Sequence, residues 1–365
     1  MNSSKIETIL RAYEQGRRLS QNDVACLLNV TNEADRQLIY AAARKVRSKY
    51  FDNKVFLYGF VYFSTYCQNH CSFCFYRTEN MEPPRYRKNL QEVVETAQKL
   101  KESGVHLIDL TTGDDPYYTK HPERLADIVS AVKEKTGLGV MVSPGLLDEN
   151  GIKLIAQAGA DWYALYQETH TRALFDKLRL GQSFDMRINA KIKAREYGML
   201  VEEGLLTGVG DTVEDRVKSY EKMNELNASQ VRTMTYIEQN GAPLKGKSIS
   251  EYQDELLSIA VMRLLFPDIL IPASLDVEGL KGLKKRIMAG ANVVTSIIPP
   301  KSGYAGVANS SQDIDEGYRT VSGIQDTLIE CGVCAATTEE YLQWIEERKA
   351  LVNEDTYNWR KASGD

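Results

Sequence analysis

Cys67, Cys71 and Cys74 stand in a Cys-x3-Cys-x2-Cys array within the stretch Tyr66–Tyr76. Three thiolates this close can converge on one metal centre from a single loop, and thiolates are the soft ligands that iron–sulfur clusters use. A cubane has four irons, so three cysteines leave one iron without a protein ligand. An open iron implies chemistry rather than simple electron storage. Phe73, just before the third cysteine, is placed to shield such a cluster. The same cysteines are also compatible with part of a zinc site, or with three unrelated thiols. Zinc would want four ligands, usually in two separated pairs, and His70 could complete a set only by crowding into the same loop.

The elements around the array are those of an α/β chain. A β-branched and aromatic run from Val55 to Phe63 reads as a strand buried on both faces and leads directly into the cysteine loop. Further strands are expected at Val105–Thr112, Val140–Ser143, Trp162–Leu165, Leu200–Leu206, Gln230–Tyr236, Leu270–Ala273 and Val293–Ser296, with helical patterns between them. Eight strands alternating with helices predict parallel pairing and a (β/α)8 TIM-type barrel, whose sites gather at the C-terminal strand ends. The cysteine loop, Thr112-Gly113-Asp114, Ser143, Gln167-Glu168, Thr207, Arg232, Ser274, Asp276 and Ser296 all fall near those ends. Thr207-Gly-Val-Gly210 lacks the Lys of a phosphate loop and reads as close backbone approach at a strand end.

Residues 1–54 read as an N-terminal helical extension, a lid or plug packed on the barrel of residues 55–300. Residues 301–365 read as a C-terminal cap: a Gly/Ser loop over 302–309, a helix over 312–331 and a last helix from Thr338 at a displaced capping box. The 365 residues carry 43% hydrophobic and 26% charged side chains, which suits a globular core. A net charge of −5 argues against a nucleic-acid binder. No apolar run approaches the ~18 residues of a membrane span. The polar N-terminus lacks a secretory segment, and an oxidising compartment would threaten the cluster, so a cytoplasmic location is expected. Of six cysteines, Cys26, Cys331 and Cys334 lie outside the array; Cys331 and Cys334 read as buried structural thiols rather than a second cluster, and Cys26 falls in a different helical segment.

With its aromatic before the last cysteine, the array resembles the signature of the radical S-adenosylmethionine (SAM) superfamily. Over Val55–Pro300 the chain is similar to the biotin synthase-like and hydrogenase-maturase branch. That resemblance implies a [4Fe–4S] cluster on Cys67, Cys71 and Cys74, with SAM chelated to the open iron. It places Thr112-Gly113-Asp114 at the SAM-binding turn, where Gly113 would let the backbone approach the methionyl ammonium and Asp114 or Asp115 would act as the acidic residue. It places Glu168 and Arg187 at SAM-binding positions, Arg187 suited to grip the methionyl carboxylate, and Tyr76 where adenine is bracketed by backbone contact. Ser143 joins this cofactor set. Taken singly these residues have ordinary readings: a turn, a surface arginine, a helix cap.

Charged and hydroxyl residues also interrupt apolar strands. Asp109, Arg232, Ser274 and Asp276, with Ser296, supply carboxylates for ammonium groups and a guanidinium for a carboxylate, an inventory that fits a diamino acid such as lysine. An internal Asp109–Arg232 or Arg232–Asp276 salt bridge accounts for the same residues. The phrases Tyr-Phe-Ser-Thr-Tyr-Cys, Tyr-Gln-Glu-Thr, Lys-Leu-Arg, Leu-Thr-Gly-Val-Gly and Ile-Pro-Ala-Ser-Leu-Asp are similar to the methylornithine synthase family of pyrrolysine biosynthesis, from about Tyr50 to Asn309. The resemblance implies an isomerase. Electron transfer to SAM yields a 5′-deoxyadenosyl radical, which takes a hydrogen from L-lysine. The lysyl radical fragments to a glycyl radical and an aminobutene, and these recombine as 3-methylornithine. A low-potential donor such as ferredoxin or flavodoxin would supply the electron. Another biotin synthase-like radical SAM enzyme, acting on a different amino acid or in cofactor maturation, is the alternative.

Overall fold

A computed structural model describes residues 5–245, 252–299 and 319–353. The chain opens with α1 (Lys5–Glu14), α2 (Gln21–Leu28) and α3 (Glu33–Phe51), then enters β1 (Lys54–Ser64). There follow α4 (Leu90–Ser103), β2 (Leu107–Thr112), α5 (Pro116–Lys120), α6 (Pro122–Thr136), β3 (Gly139–Ser143), α7 (Glu149–Gln157) and β4 (Trp162–Ala164). The second half runs through α8 (Arg172–Leu178), α9 (Phe184–Glu196), β5 (Leu200–Thr207), α10 (Val213–Glu225), β6 (Gln230–Thr235), α11 (Gln253–Leu265), β7 (Pro272–Ser274), α12 (Gly279–Ala289) and β8 (Val293–Ile297). It ends with α13 (Val321–Glu330), β9 (Cys334–Ala335) and α14 (Thr338–Asn353).

The strand order β6-β5-β4-β3-β2-β1-β8-β7 is that of an eight-stranded parallel barrel. Closure between β6 and β7 is thin: one bridge joins Gln230 to Leu270, with Val231 N–H to Leu270 O at 3.0 Å and Leu270 N–H to Ser229 O at 3.1 Å. All residues of β1 but the first are buried, as expected of a strand covered on both faces. The eight expected strands are all present, with ends shifted by a residue or two.

The N-terminal helices are not a lid. They pack on the outer helices, where Tyr13 Oη donates to Leu264 O (2.9 Å), Arg44 to Met288 O (2.7 Å) and Arg47 to Ile287 O (2.6 Å). Ile9, Leu27, Ile39 and Ala43 join the same apolar cluster as α11 and α12. The C-terminal helix closes the other end of the barrel. Tyr341, Trp344 and Ile345 pack on Phe56, Tyr58, Leu107, Trp162 and Leu270 at the strand beginnings, with the rings of Trp162 and Trp344 stacked 5.9 Å apart. Its capping box uses Thr337 and Glu340 (2.6 and 3.1 Å), one residue earlier than the sequence suggested. The loop expected over 302–309, the first part of the helix expected over 312–331 and the tail beyond 353 lie outside the described residues. The two glycines of Thr207-Gly-Val-Gly210 make a turn rather than a close approach. Both have positive φ, a Cβ at either would meet nothing within 4 Å, and Asp211 accepts from the Gly208 and Val209 amides.

Candidate active site

The cysteine loop leaves the C-terminal end of β1 and is anchored to the turn after β2. Asp114 O accepts from Gln68 N–H (2.9 Å), and the Asp114 carboxylate accepts from Gln68 Nε2 (3.0 Å) and Asn69 Nδ2 (2.9 Å). Gly113 is required here by the loop itself: a Cβ would lie 2.3 Å from Tyr66 O and 2.9 Å from Cys67 Cβ. Asp115 is the N-cap of α5, held by Nε and Nη2 of Arg87 (2.8 and 2.7 Å) and by Ser64 Oγ (2.5 Å). Its oxygens are committed to structure, which leaves Asp114 as the acidic residue facing the loop.

Cys67, Cys71 and Cys74 are all free thiols on this loop. Cys71 Sγ accepts from Gln182 Nε2 (3.0 Å) and lies 3.7 Å from Arg179 Nη1. Burial pushes the Cys67 thiol up to about 11. Cys74 is raised by burial and then by the nearness of Cys71 and Cys67. Thiols held this way stay protonated until a metal stabilises the thiolates. Among the described residues no group of three or more His, Cys, Asp or Glu side chains is set to hold a single metal ion; in a cubane each thiolate binds its own iron. His70 is half exposed and paired with Glu79 rather than with the thiols. Phe73 lies under the Arg179 guanidinium, 5.4 Å from ring centre to Cζ.

Arg179 was not singled out from the sequence, although it ends the Lys-Leu-Arg phrase. It is buried after α8 and joins the cysteine loop to Glu168, with Nη2 2.6 Å from Glu168 Oε1 and 2.7 Å from Tyr166 O. Glu168 has φ +68, a left-handed conformation costing about 1 kcal/mol or more for a non-glycine residue. Backbone pairing holds it, Glu168 N–H to Gly204 O and Leu206 N–H to Glu168 O, both 3.0 Å. A buried network beneath adds support: Glu203 Oε1 accepts from the Gln167 and Gly204 amides (2.7 and 2.8 Å) and pairs with Lys191.

Arg187 lies in α9 and is buried, not on the surface. Its nitrogens reach Gln182 Oε1 (3.2 Å) and Tyr166 O, and it forms no ion pair with a carboxylate among the described residues. Burial lowers its pKa to about 10. Thr112 Oγ1 is likewise buried and without a partner among the described residues. An uncompensated guanidinium and an orphaned hydroxyl near the cluster loop are what a polar anionic ligand would satisfy. Tyr76 is buried against Tyr62 and Phe75, and its carbonyl accepts from Arg85 Nη1 (3.0 Å).

Neither internal salt bridge expected of the barrel residues forms. Arg232 instead pairs with Glu202, Nε to Oε1 at 2.8 Å. Asp276 pairs with Arg319, Nη1 to Oδ1 at 2.8 Å, and also accepts from Ser296 Oγ (2.6 Å) and Ser274 Oγ (3.1 Å). Ser274, Asp276 and Ser296 thus form one bonded group. Asp109 is buried and, among the described residues, has only hydroxyl donors, Thr111 Oγ1 (3.0 Å) and Ser143 Oγ (3.4 Å), so Ser143 sits beside Asp109. Burial, then the Glu202 charge, raises Asp109 to about 7.

A parallel barrel with a three-thiol loop at the end of its first strand is the architecture of a radical SAM enzyme, and the Radical SAM superfamily profile matches residues 61–223. Its cofactors are a [4Fe–4S] cluster and SAM, and the free thiols, Thr112 Oγ1 and Arg187 fit them. A 3-methylornithine synthase of Methanosarcina barkeri is 45% identical over 90% of this chain and 93% of its own length. The crystal structure of a methylornithine synthase (PylB) superposes with a TM-score of 0.87 at 44% identity, covering 92% of this chain and 99% of that one. The chain therefore belongs to the methylornithine synthase family. The [FeFe] hydrogenase maturase subunit HydE of Thermotoga maritima, 30% identical over 73% of this chain and 77% of its own, marks the wider branch.

Proposed function

We propose that this enzyme isomerises L-lysine to 3-methylornithine, the amino-acid step of pyrrolysine biosynthesis. The observation that carries the reading is a pair of buried charged groups in the barrel whose hydrogen-bonding capacity is only partly used. Arg232 keeps its two terminal nitrogens without an oxygen partner among the described residues, and Asp109 is a buried carboxylate that makes no salt bridge among them, although the Arg232 charge acts on it. Cluster and SAM, when bound, supply a carbon-centred radical able to take a hydrogen atom from an unactivated C–H bond. Arg232 holds the lysine carboxylate in a two-pronged grip, and Asp109 takes an ammonium. Asp276 meets Arg319 already, so its part is to fix Ser274 and Ser296 against the substrate. Once the Cα–Cβ bond breaks, the glycyl fragment keeps the carboxylate and the other fragment keeps the side-chain ammonium. Anchors of opposite charge therefore retain both pieces until they rejoin, and the buried setting excludes water.

Cys67, Cys71 and Cys74 hold the cluster in this reading. Thr112, Asp114, Glu168 and Arg187 surround the methionyl part of SAM, with Arg179 fixing Glu168, and Tyr76 lies beside its adenine. Gly113 lets the cluster loop seat. Arg187 meets the methionyl carboxylate, which explains why so buried a guanidinium pairs with no carboxylate among the described residues. A low-potential ferredoxin or flavodoxin delivers the electron in the cytoplasm; no helix among the described residues is long and apolar enough to cross a membrane. Cys334 pairs beside Lys54 at the start of β1, and the cluster loop follows its end at Ser64. The eleven residues between span roughly 33 Å, which speaks against an additional cluster near the site and so against a sulfur-inserting enzyme. The reading is tested by anaerobic reconstitution and incubation with SAM, dithionite and L-lysine, with mass spectrometry of the products.

A further inference from the structure

Glu202 lies in β5 with no exposed surface. Its Oε1 accepts from Arg232 Nε at 2.8 Å and its Oε2 from Tyr166 Oη at 2.8 Å. The Tyr166 ring lies against the Arg232 guanidinium, 5.4 Å from centroid to Cζ. That ring fits only because residue 204 is glycine: a Cβ there would come within 2.9 Å of it, and Gly204 is the register partner of Arg232. The guanidinium is thus fixed along its edge by a carboxylate and on its face by a ring. What remains is the pair of terminal nitrogens, which among the described residues meet no oxygen and lie nearest Met234 Sδ, 3.9 Å from Nη1.

Charge points the same way. Among the described residues, the charged groups gathered at Arg232, Asp109 and Asp276 are three carboxylates, Asp109, Glu202 and Asp276, against two guanidiniums, Arg232 and Arg319. Fully ionised, they leave one negative charge. An amino acid with an ammonium on its side chain carries one positive charge and neutralises the set; one with an apolar side chain does not. Without Glu202 the set would be neutral and this preference would vanish.

We propose that Glu202 is a specificity-determining and positioning residue: it fixes Arg232 for the substrate carboxylate and supplies the charge that selects a cationic side chain. This rests on the reading of the site as a lysine site.

The test uses the anaerobically reconstituted enzyme with SAM and no reductant, measuring affinity for L-lysine and for L-norleucine by equilibrium dialysis. Norleucine has the same chain without the terminal ammonium. Wild type should prefer lysine; if it binds neither amino acid, the lysine reading fails, and the inference with it. Glu202→Gln should lower the lysine-to-norleucine affinity ratio by about tenfold, as expected for a buried charge at an effective dielectric near 20, with iron content and SAM affinity unchanged. A ratio unchanged within twofold overturns the selecting role, whatever happens to the melting temperature. Glu202→Asp keeps the charge but shortens the reach. It should keep the ratio while weakening both amino acids about tenfold, and unchanged affinity for both would overturn the positioning role.

Discussion

The backbone carbonyl of Tyr66 fills the place a side chain at residue 113 would take, 2.3 Å from where its Cβ would stand. The turn after β2 and the cysteine loop after β1 are therefore one packed unit. Gly113→Ala should push the loop away from β2 and cut the iron content of the reconstituted protein at least severalfold, with little change in far-ultraviolet circular dichroism. Full iron loading in that variant would show that the loop can shift freely.

The thiols divide into two classes. Cys67→Ala, Cys71→Ala and Cys74→Ala should each abolish the brown cluster absorbance and SAM cleavage. Cys331→Ala and Cys334→Ala should leave both intact, because Cys334, exposed rather than buried as expected, pairs at the opposite end of β1 and Cys331 is buried with its sulfur 4.0 Å from Lys284 O. Iron lost on changing either of the last two would overturn the one-cluster assignment.

How much of this was legible in the sequence depended on range. The cysteine array is local, so spacing alone marked it, and strand–helix alternation marked the barrel. Pairings across strands were hidden because they need register. Leu-Val-Glu-Glu-Gly held a usable signal: two acidic residues in a strand buried on both faces. Alternation sends Glu202 inward to Arg232 and Glu203 outward to Lys191. Arg319 could not be found that way, since it reaches Asp276 from beyond the last barrel strand. Arg179 follows α8, a helix of seven residues whose pattern is too short to read.

Arg187 lies buried without a carboxylate, so its charge costs the ligand-free protein stability. Arg187→Met should raise or preserve the melting temperature without SAM. It should weaken SAM binding about ten- to a hundredfold, the worth of a charge-assisted bond of roughly 1.5–3 kcal/mol. Iron content should hold. Unchanged SAM affinity, measured by calorimetry on the reconstituted protein, would remove Arg187 from the cofactor site.

Asp109 should make lysine binding pH-dependent. Burial raises its pKa from 3.8 to about 7. The folded chain therefore holds this proton more tightly than the unfolded chain, and the associated stability is full below 3.8 and lost as pH rises through about 7. Asp109→Asn should consequently raise the melting temperature at pH 8, where the buried charge is otherwise uncompensated. An ammonium needs the ionised carboxylate, so wild-type affinity for lysine should fall by up to about tenfold per unit as pH drops below 7. The Asn variant should bind lysine weakly at every pH. Equal, pH-independent affinity in both proteins would show that the ammonium is held elsewhere.

The central claim is that lysine is both substrate and skeleton of the product. Incubating the reconstituted enzyme with SAM, dithionite and uniformly 13C-labelled L-lysine tests it directly, with chromatography and mass spectrometry of the amino acids formed. The account predicts an isomer of lysine with unchanged mass, every carbon labelled, eluting with authentic 3-methylornithine and formed only when SAM and reductant are both present. SAM cleavage that leaves lysine unchanged, or a labelled product of different mass, would contradict it.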